Sequence, residues 1–110
     1  MNRFLAHSLL MLTLSALNFV ALAGNLDDDL RQAAKLHKGG ETAQAVGIWQ
    51  QWASMGNADA AYNLAVIHQY GDGVALDYTK AMQWYRIAAE QGDKISQFQI
   101  GLMYQTGQGV

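Results

Sequence analysis

Gly71-Asp72-Gly73-Val74 and, thirty-six residues later, Gly107-Gln108-Gly109-Val110 decide how this chain is read. The residues between and before them keep the same offset. Ala45 returns as Ala81, Ala53 as Ala89, Gly56 as Gly92 and Gln69 as Gln105. Related pairs fill the gaps: Trp49 with Tyr85, Tyr62 with Phe98, Leu64 with Ile100, Ala65 with Gly101 and Val66 with Leu102. A fixed period of this size denotes a stack of equal supersecondary units, none of which can bury its apolar face alone.

Helix signals divide the repeat. Helices are predicted over about Asp27–Lys38, Thr42–Met55, Ala58–Tyr70, Tyr78–Gln91 and Ile95–Gln105 from apolar spacing and stop signals. Asn57 and Asp77 are placed to cap the third and fourth. Gly39-Gly40, Gly56, Gly71 and Gly92 end helices, since glycine adopts the left-handed backbone that a helix exit favours. On the third helix Ala61, Leu64, Ala65 and His68 form one stripe; Ala81, Tyr85, Ala88 and Ala89 do so on the fourth. The offset carries the first stripe to Gln97, Ile100, Gly101 and Tyr104 on the fifth. Val74 and Leu76 are expected to tuck inward between the third and fourth helices. The chain has no proline and no alternating β-branched run, so strand content should be close to nil. Helices of this length are marginal alone in water and need neighbours. The fifth has no successor before Val110, which implies either a short or fragmentary product or a last face that another chain covers.

The first twenty-three residues read as a secretory signal peptide, the alternative being an uncleaved membrane anchor. Met1-Asn2-Arg3 is a short positive start, Phe4 to about Val20 is mainly apolar, and Ala21-Leu22-Ala23 supplies the small-x-small cleavage pattern. The expected product is exported, periplasmic or secreted, and free of the membrane after cleavage following Ala23. Removing that segment takes away one charged residue, Arg3, and leaves six basic against nine acidic side chains, a formal balance of −3. Without a basic run or stripe the chain has no nucleic-acid footprint. With no cysteine it has neither a disulfide nor a cysteine-type zinc cluster. Asp27-Asp28-Asp29 suits the positive end of a helix dipole, whereas three successive carboxylates on a helix diverge and make a poor calcium site.

The run Ala81-Met82-Gln83-Trp84-Tyr85-Arg86-Ile87-Ala88-Ala89-Glu90-Gln91-Gly92, followed by Ile100-Gly101-x-Met103-Tyr104-x-x-Gly107-x-Gly109-Val110, resembles Sel1-like repeats, an α-solenoid class related to the tetratricopeptide repeats. The resemblance covers about Glu41 to Val110, with one full repeat at about 58–93 and partial repeats on either side. Residues 24–40 read as an N-terminal cap or half of a degenerate hairpin, because Gly40 joins Glu41 with no Gly-x-Gly-Val insert. Ile48 and His68 also depart from the family's aromatic positions. The resemblance implies an all-α superhelix of antiparallel hairpins serving as a protein-interaction scaffold. In such repeats the first helix of each pair tends to line the concave side. Carried over by position, that surface holds Asp59, Tyr62, Val66, Gln69 and Tyr70, then Ile95, Phe98, Leu102, Gln105 and Thr106. The alternative role for Tyr62, Val66, Phe98 and Leu102 is packing between helices.

Catalytic constellations are not legible. Ser54 and Ser96 lie outside any Gly-x-Ser-x-Gly elbow, and Gly71-x-Gly73 follows a helix instead of a strand. His37 and His68 are placed to match one another in adjacent repeats, but two ligands alone make a poor metal site. Glu41 and Glu90 fall near opposite helix ends. The reading is therefore an exported, non-catalytic scaffold without cofactor or metal, binding a protein or peptide and open to self-association through its last helix. The alternative is an envelope-associated enzyme acting on cell-wall material or a small substrate.

Overall fold

The computed structural model describes residues 25–110; the signal-peptide assignment to residues 1–23 lies outside the described residues. Five helices follow in order: α1 Leu26–Lys38, α2 Thr42–Ser54, α3 Ala58–Tyr70, α4 Tyr78–Glu90 and α5 Lys94–Thr106. Each has 13 residues, and there is no strand among the described residues. Equal helices form an α-solenoid of antiparallel hairpins, α1 with α2 and α3 with α4, followed by the helix α5.

Local chemistry accounts for the boundaries. The Asn57 side chain accepts the Ala60 N–H at 2.9 Å, and Asp77 accepts that of Lys80 at 3.0 Å. Asp93 does the same for Ser96, also at 3.0 Å, and takes the Ser96 hydroxyl as well. Each cap satisfies one of the backbone donors that a helix start leaves open. Gly71 and Gly107 leave their helices at φ 63° and 72°, where a side chain would be strained.

Two apolar clusters run along the stack. The larger joins Ala33, Ala45, Trp49, Trp52, Ala60, Leu64 and Ala88 across the first four helices. The smaller joins Ala65, Ala81, Met82, Tyr85 and Met103 across the last three. Tyr62 and Trp84 pack against both, so the core is continuous. Small residues dominate because close helix crossings leave room for alanine, while Trp49, Trp52 and Tyr85 fill the space beside it.

Two expectations are corrected. Val74 packs against the larger cluster, but Leu76 stays exposed: the loop folds it over Gly71, on the outer side. The stripe Gln97, Ile100, Gly101 and Tyr104 is also largely solvent-facing, whereas its counterpart on α3 is buried. On α5 the buried positions are Ser96 and Met103, the side turned to α4. Helix α3 lies between neighbours and buries residues on two sides; α5 has a neighbour on one.

Candidate functional site

The first helix of each hairpin carries a polar residue at its twelfth position: His37 on α1, Gln69 on α3 and Gln105 on α5. The structure thus pairs His37 with Gln69, not with His68 as the sequence suggested. The α1-to-α3 spacing is four residues shorter than the α3-to-α5 spacing, because the first hairpin lacks the loop insert.

These positions work as latches. Gln69 is buried; its Oε1 accepts the Tyr85 hydroxyl at 2.7 Å, and its Nε2 donates to Gln108 Oε1 at 3.4 Å. Burial, reinforced by the nearby Tyr62 and Tyr70 rings, pushes the Tyr85 hydroxyl well above the ordinary tyrosine range, so it stays protonated and donates. One hairpin earlier, His37 occupies the same place. Its ring meets Trp49, the counterpart of Tyr85, edge-on at 5.7 Å. Its Nε2 lies 3.0 Å from Asp72 Oδ2, and Asp72 is the loop counterpart of Gln108. A carboxylate only accepts, so Nε2 donates to it, and Nδ1 shares a hydrogen bond with the Thr42 hydroxyl at 2.8 Å. Helices α1 and α3 therefore each grip the aromatic of their own partner helix and the middle residue of the next Gly-x-Gly loop.

Thr42, His37 and Asp72 together line up a hydroxyl, an imidazole and a carboxylate, the residue types of a hydrolytic relay. The geometry is closed to chemistry. Thr42 is 5% exposed, and Gly73 lies so close over it that a methyl there would run into the Thr42 side chain. No carbonyl could reach that hydroxyl, so the relay acts as a staple between hairpins. Among the described residues no group of three or more His, Cys, Asp or Glu side chains is placed to hold a metal ion.

Asp29 is a further residue whose part the sequence did not show. Instead of serving only as a solvated dipole partner, its Oδ2 accepts the Trp52 indole N–H at 2.9 Å. Asp28 pairs loosely with Arg31 at the surface, at 3.8 Å.

The residues expected to form an interaction surface divide into three groups. Tyr70, Ile95, Phe98 and Leu102 are exposed, by 67%, 56%, 65% and 37% respectively. Asp59, Gln105 and Thr106 are exposed as well, Thr106 turning its hydroxyl back to the Leu102 carbonyl. Tyr62 and Val66 are half-buried against α4, in the packing role. Gln69 is the departure: it belongs to the interior, because the buried Tyr85 hydroxyl needs an acceptor there. Beside the exposed group, Gln97, Phe98, Gly101, Leu102 and Gln105 line a shallow depression of about 280 Å³.

A stack of two-helix units with cross-hairpin latches defines an α-solenoid, and comparison with known proteins gives its kind. The Sel1 repeat family model matches residues 58–93 and 94–110. The crystal structure of a Sel1 repeat protein from Oxalobacter formigenes superposes with a TM-score of 0.71 at 31% identity, over 82% of this chain and 39% of that one. The ERAD-associated E3 ubiquitin-protein ligase component HRD3A of Arabidopsis thaliana is 33% identical over 71 residues, 64% of this chain and 10% of that protein. Protein sel-1 homolog 2 of Mus musculus is 38% identical over 67 residues, 60% of this chain and 10% of that protein. The chain spans about a tenth of the length of these curated relatives. It is a Sel1-like repeat protein. Such repeats typically act as scaffolds for protein–protein interaction and are generally non-catalytic.

Proposed function

We propose that this chain is an exported, non-catalytic scaffold that binds a protein or peptide along the exposed side of its first helices. The observation that carries the reading is the exposure of four large apolar side chains, Tyr70, Ile95, Phe98 and Leu102, on α3 and α5. Scattered apolar residues on a surface are ordinary, but Phe98 and Leu102 line a depression, and apolar groups in such a place mark interaction sites. Membership of a family of interaction scaffolds supports it, as does one relative being a component of an E3 ubiquitin-protein ligase. Export rests on the Ala21-Leu22-Ala23 pattern after the apolar leader.

The test is affinity capture from the matching envelope fraction with wild type, Tyr70→Ala and Phe98→Ala. A partner retained by wild type and lost by both variants supports the reading. A partner set unchanged by either substitution refutes it. Export is checked by the mass of the protein recovered outside the cytoplasm: a mature chain beginning at Gly24 is expected, and an intact Met1 start counts against it.

A further inference from the structure

The middle of the first Gly-x-Gly loop carries a chemistry that its counterpart lacks. Asp72-Gly73 is the one place in the sequence where an aspartate or asparagine precedes glycine, and the matching pair in the second loop is Gln108-Gly109. An aspartyl carboxyl followed by a glycine amide can close a five-membered imide, because the glycine has no side chain to shield its nitrogen. Glutamine needs a six-membered ring, which closes far more slowly. The Asp72 side chain is 66% exposed, so water reaches it. In the latched loop, however, both reacting groups are tied to the preceding hairpin. Asp72 Oδ2 accepts the His37 Nε2–H at 3.0 Å, and Gly73 lies tight against the Thr42 side chain. An intramolecular attack proceeds only once the reacting atoms are brought together and aligned. Turning Asp72 Cγ onto the Gly73 nitrogen requires the carboxylate to leave His37 and the loop to lift from Thr42.

We propose that Asp72 is a site of spontaneous isoaspartate formation guarded by His37, so that separation of the first two hairpins is turned into a covalent change. The step needs no reagent but water. The Gly73 amide nitrogen attacks Asp72 Cγ and the new N–Cγ bond forms. One carboxyl oxygen leaves as water, taking the amide proton and a second proton from solvent. Water then adds to the imide at the main-chain carbonyl of residue 72 and breaks its bond to the Gly73 nitrogen. The chain now runs through Cγ, one methylene longer, and the free carboxylate sits directly on Cα. That carboxylate is one carbon shorter than the side chain that reached His37, and Gly73 is displaced from its seat over Thr42. The modified loop therefore does not latch again. Its rate of formation in the folded protein is the open-loop rate multiplied by the fraction of molecules with the latch open.

The test follows isoaspartate at residue 72 in the full 110-residue chain at neutral pH, read by electron-based fragmentation of the tryptic peptide 39–80, since the two isomers share one mass. Wild type unfolded in guanidinium chloride supplies the unguarded rate. Folded wild type should be slower by more than about tenfold, because the Gly73 seat adds to the hydrogen bond. His37→Ala, shown by circular dichroism to be folded, should exceed folded wild type by about tenfold, the worth of one hydrogen bond to a charged group. His37→Gln installs the amide donor that Gln69 uses toward Gln108, and it should stay close to wild type. Equal rates in folded and unfolded wild type overturn the proposal, and this comparison holds even if His37→Ala does not fold. So does a folded His37→Ala no faster than wild type; a slower one would mean that the imidazole promotes closure. His37→Gln as fast as His37→Ala removes the donor bond from the argument and overturns it as well. Absence of product at residue 72 in the unfolded chain refutes the site itself.

Discussion

Replacing Gly73 by alanine tests the central packing claim, that each Gly-x-Gly loop closes onto the start of the second helix one hairpin back. Gly73 has φ +77°, and its missing side chain points at the Thr42 side chain; Gly109, at φ +73°, faces the Tyr78 carbonyl in the same way. Two costs follow in Gly73→Ala. An L-residue in the left-handed region costs roughly 1–2 kcal/mol, and forcing a methyl into a filled contact costs about 1–3 kcal/mol more. The new methyl also disturbs the Thr42–His37 hydrogen bond, worth about 1 kcal/mol. Gly92→Ala separates the terms, because Gly92 has φ +93° and open space around it, leaving only the backbone cost. Urea unfolding followed by circular dichroism should therefore show Gly73→Ala less stable than Gly92→Ala by about 2–4 kcal/mol, a large part of a small domain's total. Adding Thr42→Ala to Gly73→Ala should return part of the difference, by relieving the clash. Equal midpoints for the two glycine variants would refute the loop-closure argument.

Three further outcomes are expected. Tyr85→Phe leaves the buried Gln69 oxygen without its donor and should cost about 1–2 kcal/mol in urea unfolding; an unchanged midpoint would mean that the latch does not hold the hairpins. Since burial raises the Tyr85 pKa in the fold above its unfolded value, its contribution is complete below about pH 10 and fades as pH rises beyond that, because the unfolded chain then loses the proton first. Denaturation midpoints should accordingly fall above pH 10 in wild type, and less steeply in Tyr85→Phe. Asp29→Ala strands the Trp52 indole N–H and should destabilise α1 against α2 by about 1–3 kcal/mol, visible as a change in tryptophan emission, while Asp28→Ala at the exposed ion pair should be nearly silent.

The latches themselves could have been found from the repeat. Gln69 and Gln105 share the offset, and the Tyr85 counterpart Trp49 was in register. What hid them was the shortened first loop. Counting from His37 by the wrong interval reaches His68, whereas counting from each helix start reaches Gln69. Asp29 offered no such signal, because the contact that defines it comes from Trp52, twenty-three residues away and a helix apart. Leu76 misled for a related reason: apolar character predicts burial only if a surface is there to receive it, and the loop turns this side chain outward.

By itself the sequence determined the repeated helical hairpin, its length and its punctuation. Those properties are local: glycines with positive φ end helices, Asn57 and Asp77 satisfy donors three residues away, and apolar spacing marks a face within one helix. Only the tertiary structure decided which copies of a repeated position are buried and which are open. Ala65 and Gly101 answer to the same place in the pattern, yet one is sealed beneath α4 and the other floors a depression. Burial is a relation between neighbours, and a periodic sequence assigns the same face to every copy whether or not a neighbour lies against it.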